Sequence, residues 1–236
     1  MPPSVPAAHD GVDVWLLRLD DTAAGLARAH GLTLPAGSSA AAWLDADERA
    51  RAARLLDATD RHRWLLSHVA TRLLVGLALD RHPADVAWRR EPCRRCGGPH
   101  GRPVVVDGDD LHVSLSRSGD TALLALRRGL PVGVDVEQVT TGPTATPHDD
   151  LHRWVRAEAV LKSTGEGLTR DPAAVDVGDP ARARWSGEVE GLDLDLAAAA
   201  GTAPGTGADP RLLAALAGPA LHGSSLGVHL PVTAST

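Results

Sequence analysis

The stretch LHVSLSRSGDTALLALRRGLPVGVDVE, residues 111–137, decides the fold. Within it LHVSLS (111–116) and LPVGVDVE (130–137) alternate apolar and polar residues, and TALLAL (121–126) is almost wholly apolar. Each predicts a short strand. The breaks Arg117–Asp120 and Arg127–Gly129 have the length and the residues of hairpin turns, so an antiparallel meander is expected here. A long helix should cover it, running from about Asp60 to Leu79. Its stripe Leu65, Val69, Leu73, Leu77 repeats every fourth residue and is expected to be buried, with Arg61, Arg63 and Arg72 off the stripe. Ahead of that helix, Asp45 and Glu48 spell a capping box opening a shorter one that carries Arg49, Arg51 and Arg54. Residues 11–18, GVDVWLLR, read as the first strand, and 33–42 as a loop.

Beyond residue 137 a polar stretch leads to a helix over about Leu151–Ser163, stopped by Gly165 and Gly167. Short strands and loops follow, including AVDV (174–177), RWSGEVE (184–190) and SLGVHLP (225–231). The low-complexity run 197–210 reads as a surface loop. This order predicts an α+β protein of two similar α/β lobes in one chain, an N-terminal lobe over 1–128 and a C-terminal lobe over 129–236.

Composition narrows the function. The chain has 236 residues, 43% hydrophobic and 23% charged, which suits a soluble globular protein. No basic-then-apolar leader opens it and no apolar run reaches the roughly 18–20 residues a membrane helix needs, so a cytoplasmic protein off the membrane is expected. Aromatic content is 3%, all tryptophan, which disfavours a nucleic-acid stacking platform. Of the 24 Lys+Arg residues, Lys162 alone is lysine. Between 49 and 102, 12 arginines face 5 acids although the whole chain carries −6. That basic segment points to a phosphate-bearing ligand more than to a long nucleic acid, although solvated helix faces would look the same.

Three segments carry the chemistry. In VGVDVE, Asp135 and Glu137 stand two apart and so share a strand face. Paired carboxylates there suit a magnesium ion that keeps several waters; the same pattern also describes a solvent-facing strand. On the helix, Trp154, Glu158 and Lys162 recur at four-residue spacing and share a face. Glu158–Lys162 is a stabilising helix pair. Yet 23 other basic positions use arginine, so the single ammonium suggests contact with a phosphate or a pocket too small for a guanidinium. In HVSLSRSG, the hydroxyls of Ser116 and Ser118 and the Arg117 guanidinium could hold a phosphate.

Together these motifs resemble the 4′-phosphopantetheinyl transferases of the large, single-chain type. The pattern is S-x-S-G, then VGVDVE, then W-x-x-x-E-A-x-x-K-x-x-G-x-G-L, and the likeness extends over about residues 44–168, with the core motifs in 111–168. It implies a pseudo-dimeric, monomeric enzyme moving the phosphopantetheine arm of coenzyme A to a serine of an acyl or peptidyl carrier protein. Asp135, Glu137 and Glu158 would hold Mg2+, and Glu158 would also serve as general base. Lys162, Ser116 and Arg117 would contact the phosphates, with Arg63 at the nucleotide phosphates and Arg102 of GRP near the adenosine. One of Arg49, Arg51 and Arg54 would reach the 3′-phosphate.

The chain departs from this pattern in three places. Arg117 stands where histidine is usual. Ala157 replaces the usual lysine, which removes one charge that Arg156 could restore. Only 16 residues separate Glu137 from Trp154, far fewer than is usual, which raises the alternative of an impaired coenzyme A-binding relative without its carrier dock. The turn CRRCGGPHGRP (93 is its first cysteine, 96 its second) has two readings. Cys93, Cys96 and His100, with His82 or His112, could be zinc ligands, as in a nucleic-acid knuckle. The simpler reading is a turn leading into Arg102.

Overall fold

The computed structural model describes residues 11–19, 40–99, 101–108, 110–139, 146–179, 181–196 and 212–229. Among them are β1 (Gly11–Arg18), α1 (Ala46–Ala53), α2 (Ala58–Ala78), β2 (Trp88–Arg90) and β3 (Pro103–Val105). Next come β4 (Leu111–Ser118), β5 (Thr121–Arg128), β6 (Gly133–Gln138) and α3 (His148–Thr164). The last are β7 (Arg184–Ser186), β8 (Glu190–Asp193), β9 (Leu212–Gly218) and β10 (Ser225–His229). The low-complexity run 197–210, His100 and most of 33–42 lie outside the described residues.

The fold is α+β with two sheet-and-helix regions. Of the two four-stranded sheets, the first has the order β10-β1-β5-β4 and the second β6-β9-β8-β7, while β2 and β3 pair separately. Strand alternation builds the layers. In β1, Trp15 and Leu17 face α2, meeting Leu66, Ala70 and Leu74. Val12, Val14 and Leu16 point the other way, against Val134, Val136 and Leu216 of the second sheet. On the far side of that sheet α3 packs Val155, Ala159 and Val160 onto Ala215 and Ala217. Both sheets are thus buried on two faces. β10 runs parallel to β1 in the first sheet.

Several local expectations need correction. β4 and β5 form the predicted hairpin through Gly119, at φ +54°, but β6 does not continue the meander. Gly129 at φ +74° and Pro131, which lacks an N–H, turn the chain away, and β6 pairs with β9 instead. In α2, Leu77 is 42% exposed, whereas Arg72, expected off the stripe, is 1% exposed. Burial is tolerated because Arg72 is fully paired, with Asp45 at 2.7 Å and Glu48 at 2.6 Å. Those two acids also make the predicted capping box of α1. AVDV is a short 3-10 turn and extended chain, not a strand. α3 begins three residues earlier than expected and ends on Gly165 in the left-handed conformation.

Candidate active site

The junction of β4, β6 and α3 gathers the carboxylates. Gly133 makes it possible: a Cβ there would lie 2.0 Å from the Ala159 carbonyl oxygen, so α3 rests directly on the β6 backbone. The next residues of β6 then sit beneath the Glu158–Lys162 face of the helix. Asp135, 3% exposed, accepts two hydrogen bonds on Oδ1, from Lys162 Nζ at 2.6 Å and Ser116 Oγ at 2.6 Å. Glu137 accepts one on Oε2 from Ser118 Oγ at 2.6 Å. The other oxygen of Asp135, Oδ2, and Oε1 of Glu158 are buried without a hydrogen-bond partner.

Two orphaned carboxylate oxygens are costly in a low-dielectric site. Burial pushes the Glu158 carboxyl above the ordinary carboxylate range; Lys162 opposes this, while Asp135 and Glu137 add to it. Glu158 therefore feels both other carboxylates as well as the lysine, and the four predicted residues share one electrostatic site. No three His, Cys, Asp or Glu side chains among the described residues are arranged to hold a metal ion. The open oxygens Asp135 Oδ2 and Glu158 Oε1 are nevertheless of the type and number that a magnesium ion takes from a protein.

β4 divides the predicted phosphate contacts between two faces. Ser114, Ser116 and Ser118 face the second sheet and replace ladder bonds with side-chain bonds. Ser114 Oγ accepts from the Val134 N–H at 3.0 Å and Ser118 Oγ from the Gln138 N–H at 3.0 Å. Ser116 has its proton on Asp135, not on a free ligand site. Arg117, on the opposite face, looks toward α2, where its neighbours are Asp60 and Arg63. Burial lowers its pKa and Arg63 lowers it further, against Asp60. His68 of α2 lies in the same field: its pKa falls to about 4 through burial first, then through Arg117, Arg51 and Arg72.

Of Arg49, Arg51 and Arg54, Arg51 is the one that joins this group, and it also bears on Arg90 of β2. The Arg49 guanidinium donates to the Leu44 carbonyl oxygen. Arg102 takes a third position. It donates to Glu91 at 2.9 Å and to the Ser163 carbonyl oxygen at the end of α3 at 3.2 Å. With Arg94 it lines a shallow pocket of about 260 Å³ that Ser163 and Thr164 also border.

The expected compensation by Arg156 does not occur. Arg156 is 1% exposed, bonds Asp193 at 2.6 and 2.9 Å, and lies 5.3 Å over the Trp185 ring, away from the carboxylates. Ala157 is buried too, in the core beneath α3.

Sequence reading missed the roles of Ser114 and Gly133. The alternate serines 114, 116 and 118 were the available signal for the first. A glycine at the head of a strand pattern was the signal for the second.

No family model matches the chain. Its sequence is 23% identical over 148 residues, 54% of the chain and 62% of the relative, to 4′-phosphopantetheinyl transferase ffp of Bacillus subtilis. It is 25% identical over 153 residues, 54% of the chain and 59% of the relative, to slr0495 of Synechocystis, provisionally named a 4′-phosphopantetheinyl transferase. The chain is a distant homologue of 4′-phosphopantetheinyl transferases. It spans about three fifths of the length of these curated relatives. No described helix is long and apolar enough to cross a membrane.

Proposed function

We propose that this chain is a two-lobed, pseudo-dimeric phosphopantetheinyl transferase, using coenzyme A and Mg2+ to convert an apo acyl or peptidyl carrier protein into its holo form. The observation that carries this reading is the pair of buried, unpartnered oxygens on Asp135 and Glu158 beside the single lysine of the chain. Asp135 and Glu158, with Glu137 close by, would hold the magnesium. Bound there, it would neutralise charge on the pyrophosphate of coenzyme A and on its leaving group.

The chain's own residues supply the rest. Lys162 holds a positive charge at Asp135, where it can also meet a phosphate oxygen. Arg117, Arg63 and Arg51 bind the nucleotide phosphates on the α2 side, and Arg102 lies by the adenosine. Glu158 accepts the proton of the carrier serine. The serine oxygen forms a bond to the phosphorus that bears the pantetheine arm. The bond from that phosphorus to the bridging oxygen breaks, and adenosine 3′,5′-bisphosphate leaves.

Purified chain mixed with coenzyme A, Mg2+ and a panel of apo-carriers should add the phosphopantetheine mass to at least one carrier serine. Absence of that mass on every carrier, with a folded protein, refutes the transferase reading. A second reading is favoured by the short segment 138–153 ahead of Trp154: a relative that binds coenzyme A but has lost its carrier dock. Magnesium-dependent binding of coenzyme A by calorimetry, without transfer, would select it.

A further inference from the structure

We infer that Ser118 is a positioning residue, whose hydroxyl holds the Glu137 carboxylate in place beside Asp135 and Glu158. The role rests on the magnesium site proposed for those carboxylates. Motif spacing offers the Ser118 hydroxyl to a phosphate, but in the structure it is committed at both ends. Its oxygen accepts from the Gln138 N–H at 3.0 Å, and its proton goes to Glu137 Oε2 at 2.6 Å. A serine hydroxyl has one proton, and the backbone amide on the oxygen fixes where that proton points. The 2.6 Å separation is that of a charge-assisted bond to a carboxylate.

Glu137 needs such support more than Asp135 does. Asp135 lies inside β6 and is held by both Lys162 and Ser116. Glu137 is the residue before the last of the strand, whose pairing with β9 ends at Gln138 opposite Leu212. Strand ends open most readily. Here the β4–β5 turn braces the end. Gln138 Nε2 reaches across Gly119 to donate to Asp120 Oδ1 at 2.8 Å. A Cβ on Gly119 would lie 2.2 Å from Gln138 Oε1, so glycine is what lets the side chain cross. The Asp120 carbonyl oxygen in turn accepts from the Leu19 N–H at 2.6 Å, which ties the turn to the end of β1. Gln138 thus fixes the backbone beside Glu137, and Ser118 fixes the carboxylate itself.

Ser114 shows what a purely structural serine does on the same face of β4. Its oxygen accepts from the Val134 N–H at 3.0 Å, with no carboxylate among its hydrogen-bond partners in the described residues. Both serines therefore satisfy a β6 amide that no neighbouring strand meets, and Ser118 alone of the two also orients a carboxylate. Glu137 already acts on Glu158 across the site. Held by Ser118, it keeps its charge there instead of swinging into solvent. Partners that orient metal-binding side chains in this way typically change metal affinity about 10–100-fold when removed.

The test titrates the full chain with Mn2+ alone, as a paramagnetic stand-in for Mg2+, and follows loss of the free-ion resonance signal. Neither coenzyme A nor a carrier is present. Ser118→Ala should raise the Mn2+ Kd about 10–100-fold over the wild type. Ser118→Thr keeps the hydroxyl and should restore wild-type affinity. Ser118→Cys keeps the size but donates weakly, and should weaken binding as alanine does, which decides the matter if the alanine variant fails to fold. Ser114→Ala should lower the urea midpoint and leave the Mn2+ affinity unchanged. Wild-type affinity in Ser118→Ala and Ser118→Cys overturns the inference and leaves the magnesium site standing. An equal loss of affinity in Ser114→Ala also overturns it, by tracing the effect to the packing of β4 on β6. A folded wild-type chain that binds no Mn2+ removes the magnesium site, and the role of Ser118 with it.

Discussion

The two faces of β4 carry opposite electrostatic problems. Toward the second sheet, Ser116 and Ser118 meet Asp135 and Glu137, with Glu158 above them, so that three carboxylates share one lysine. Toward α2, Arg117 meets Arg63, and both Arg117 and Arg51 act on His68. One face holds surplus negative charge with two open oxygens; the other holds surplus positive charge. Neither arrangement is what folding alone favours, because like charges brought together in partly buried surroundings destabilise each other. Elsewhere the molecule does neutralise such groups: Arg72 has Asp45 and Glu48, and Arg156 has Asp193. The contrast identifies where the structure has left charge for something else to complete. A ligand with several phosphates and an accompanying cation would complete both faces at once.

The carboxylate face is the easier one to break. Glu158→Gln should lower turnover by about 10²–10⁴-fold in the carrier-loading assay, the range lost with a general base. It should not lower thermal stability, because a neutral amide in that place avoids the burial of a charge. A variant with full turnover would remove Glu158 from the chemistry. One with a sharply lower melting temperature would instead make it structural. In the metal-free wild type, a pH titration should find the Glu158 carboxyl above the ordinary carboxylate range, and Glu158→Gln should lack that group.

The scaffold beneath this face gives the next effect. Gly133→Ala puts a methyl group 2.0 Å from the Ala159 carbonyl oxygen, a backbone atom that cannot swing aside. Overpacking of this kind costs about 1–3 kcal/mol, read as a lower urea midpoint. Because α3 must lift from β6, turnover should fall as well. Unchanged stability would mean that the helix does not depend on direct contact with the strand.

On the arginine face, Arg117→Ala should raise the KM for coenzyme A about 10–100-fold, as expected for loss of a charge-assisted contact. The value of kcat should hardly change. Arg117→Lys should recover part of the loss, since charge without the planar fork suffices for weak phosphate binding. A fall confined to kcat would place Arg117 with the reacting groups and erase the division between the two faces of β4.

Much of this division was legible from residue spacing. Period-two alternation put Asp135 and Glu137 together, and period-four spacing put Glu158 and Lys162 on one helix face. Those rules act within one element. What they cannot report is which elements meet. The third strand of the expected meander pairs elsewhere because Gly129 and Pro131 redirect the chain, and its partner β9, LLAALAG, carries the leucine and alanine of a helix. Its strand state comes from burial between α3 and the first sheet, a tertiary effect that overrides propensity. Arg156 failed for a similar reason. Its charge suggested the site, but helical rotation by two residues from Glu158 carries it to the other side of α3, where Asp193 and Trp185 receive it.

The smallest expected effect concerns His68, which reports on the arginine face without touching the chemistry. Its ring stacks on Trp64 at 3.6 Å, and Nδ1 lies 2.9 Å from the Trp64 carbonyl oxygen and 3.2 Å from Ser67 Oγ. Burial is the main reason that its pKa falls to about 4; the Trp64 carbonyl opposes this, and Arg117, Arg51 and Arg72 reinforce it. The folded pKa is therefore below the unfolded value of about 6.5. Stability due to neutral His68 is complete above pH 6.5 and is lost as pH falls toward 4, because the unfolded chain binds the proton first. Urea midpoints at pH 7 and pH 4.5 should consequently lie further apart for the wild type than for His68→Gln, which has no proton to gain. Equal separations would show that His68 is not held neutral. Inorganic phosphate on the arginines should raise the His68 pKa by offsetting their field, and an NMR titration of the ring would read the shift. An unmoved ring resonance with phosphate present would mean that the arginine face does not gather anions at His68, and the symmetry between the two faces of β4 would fail there.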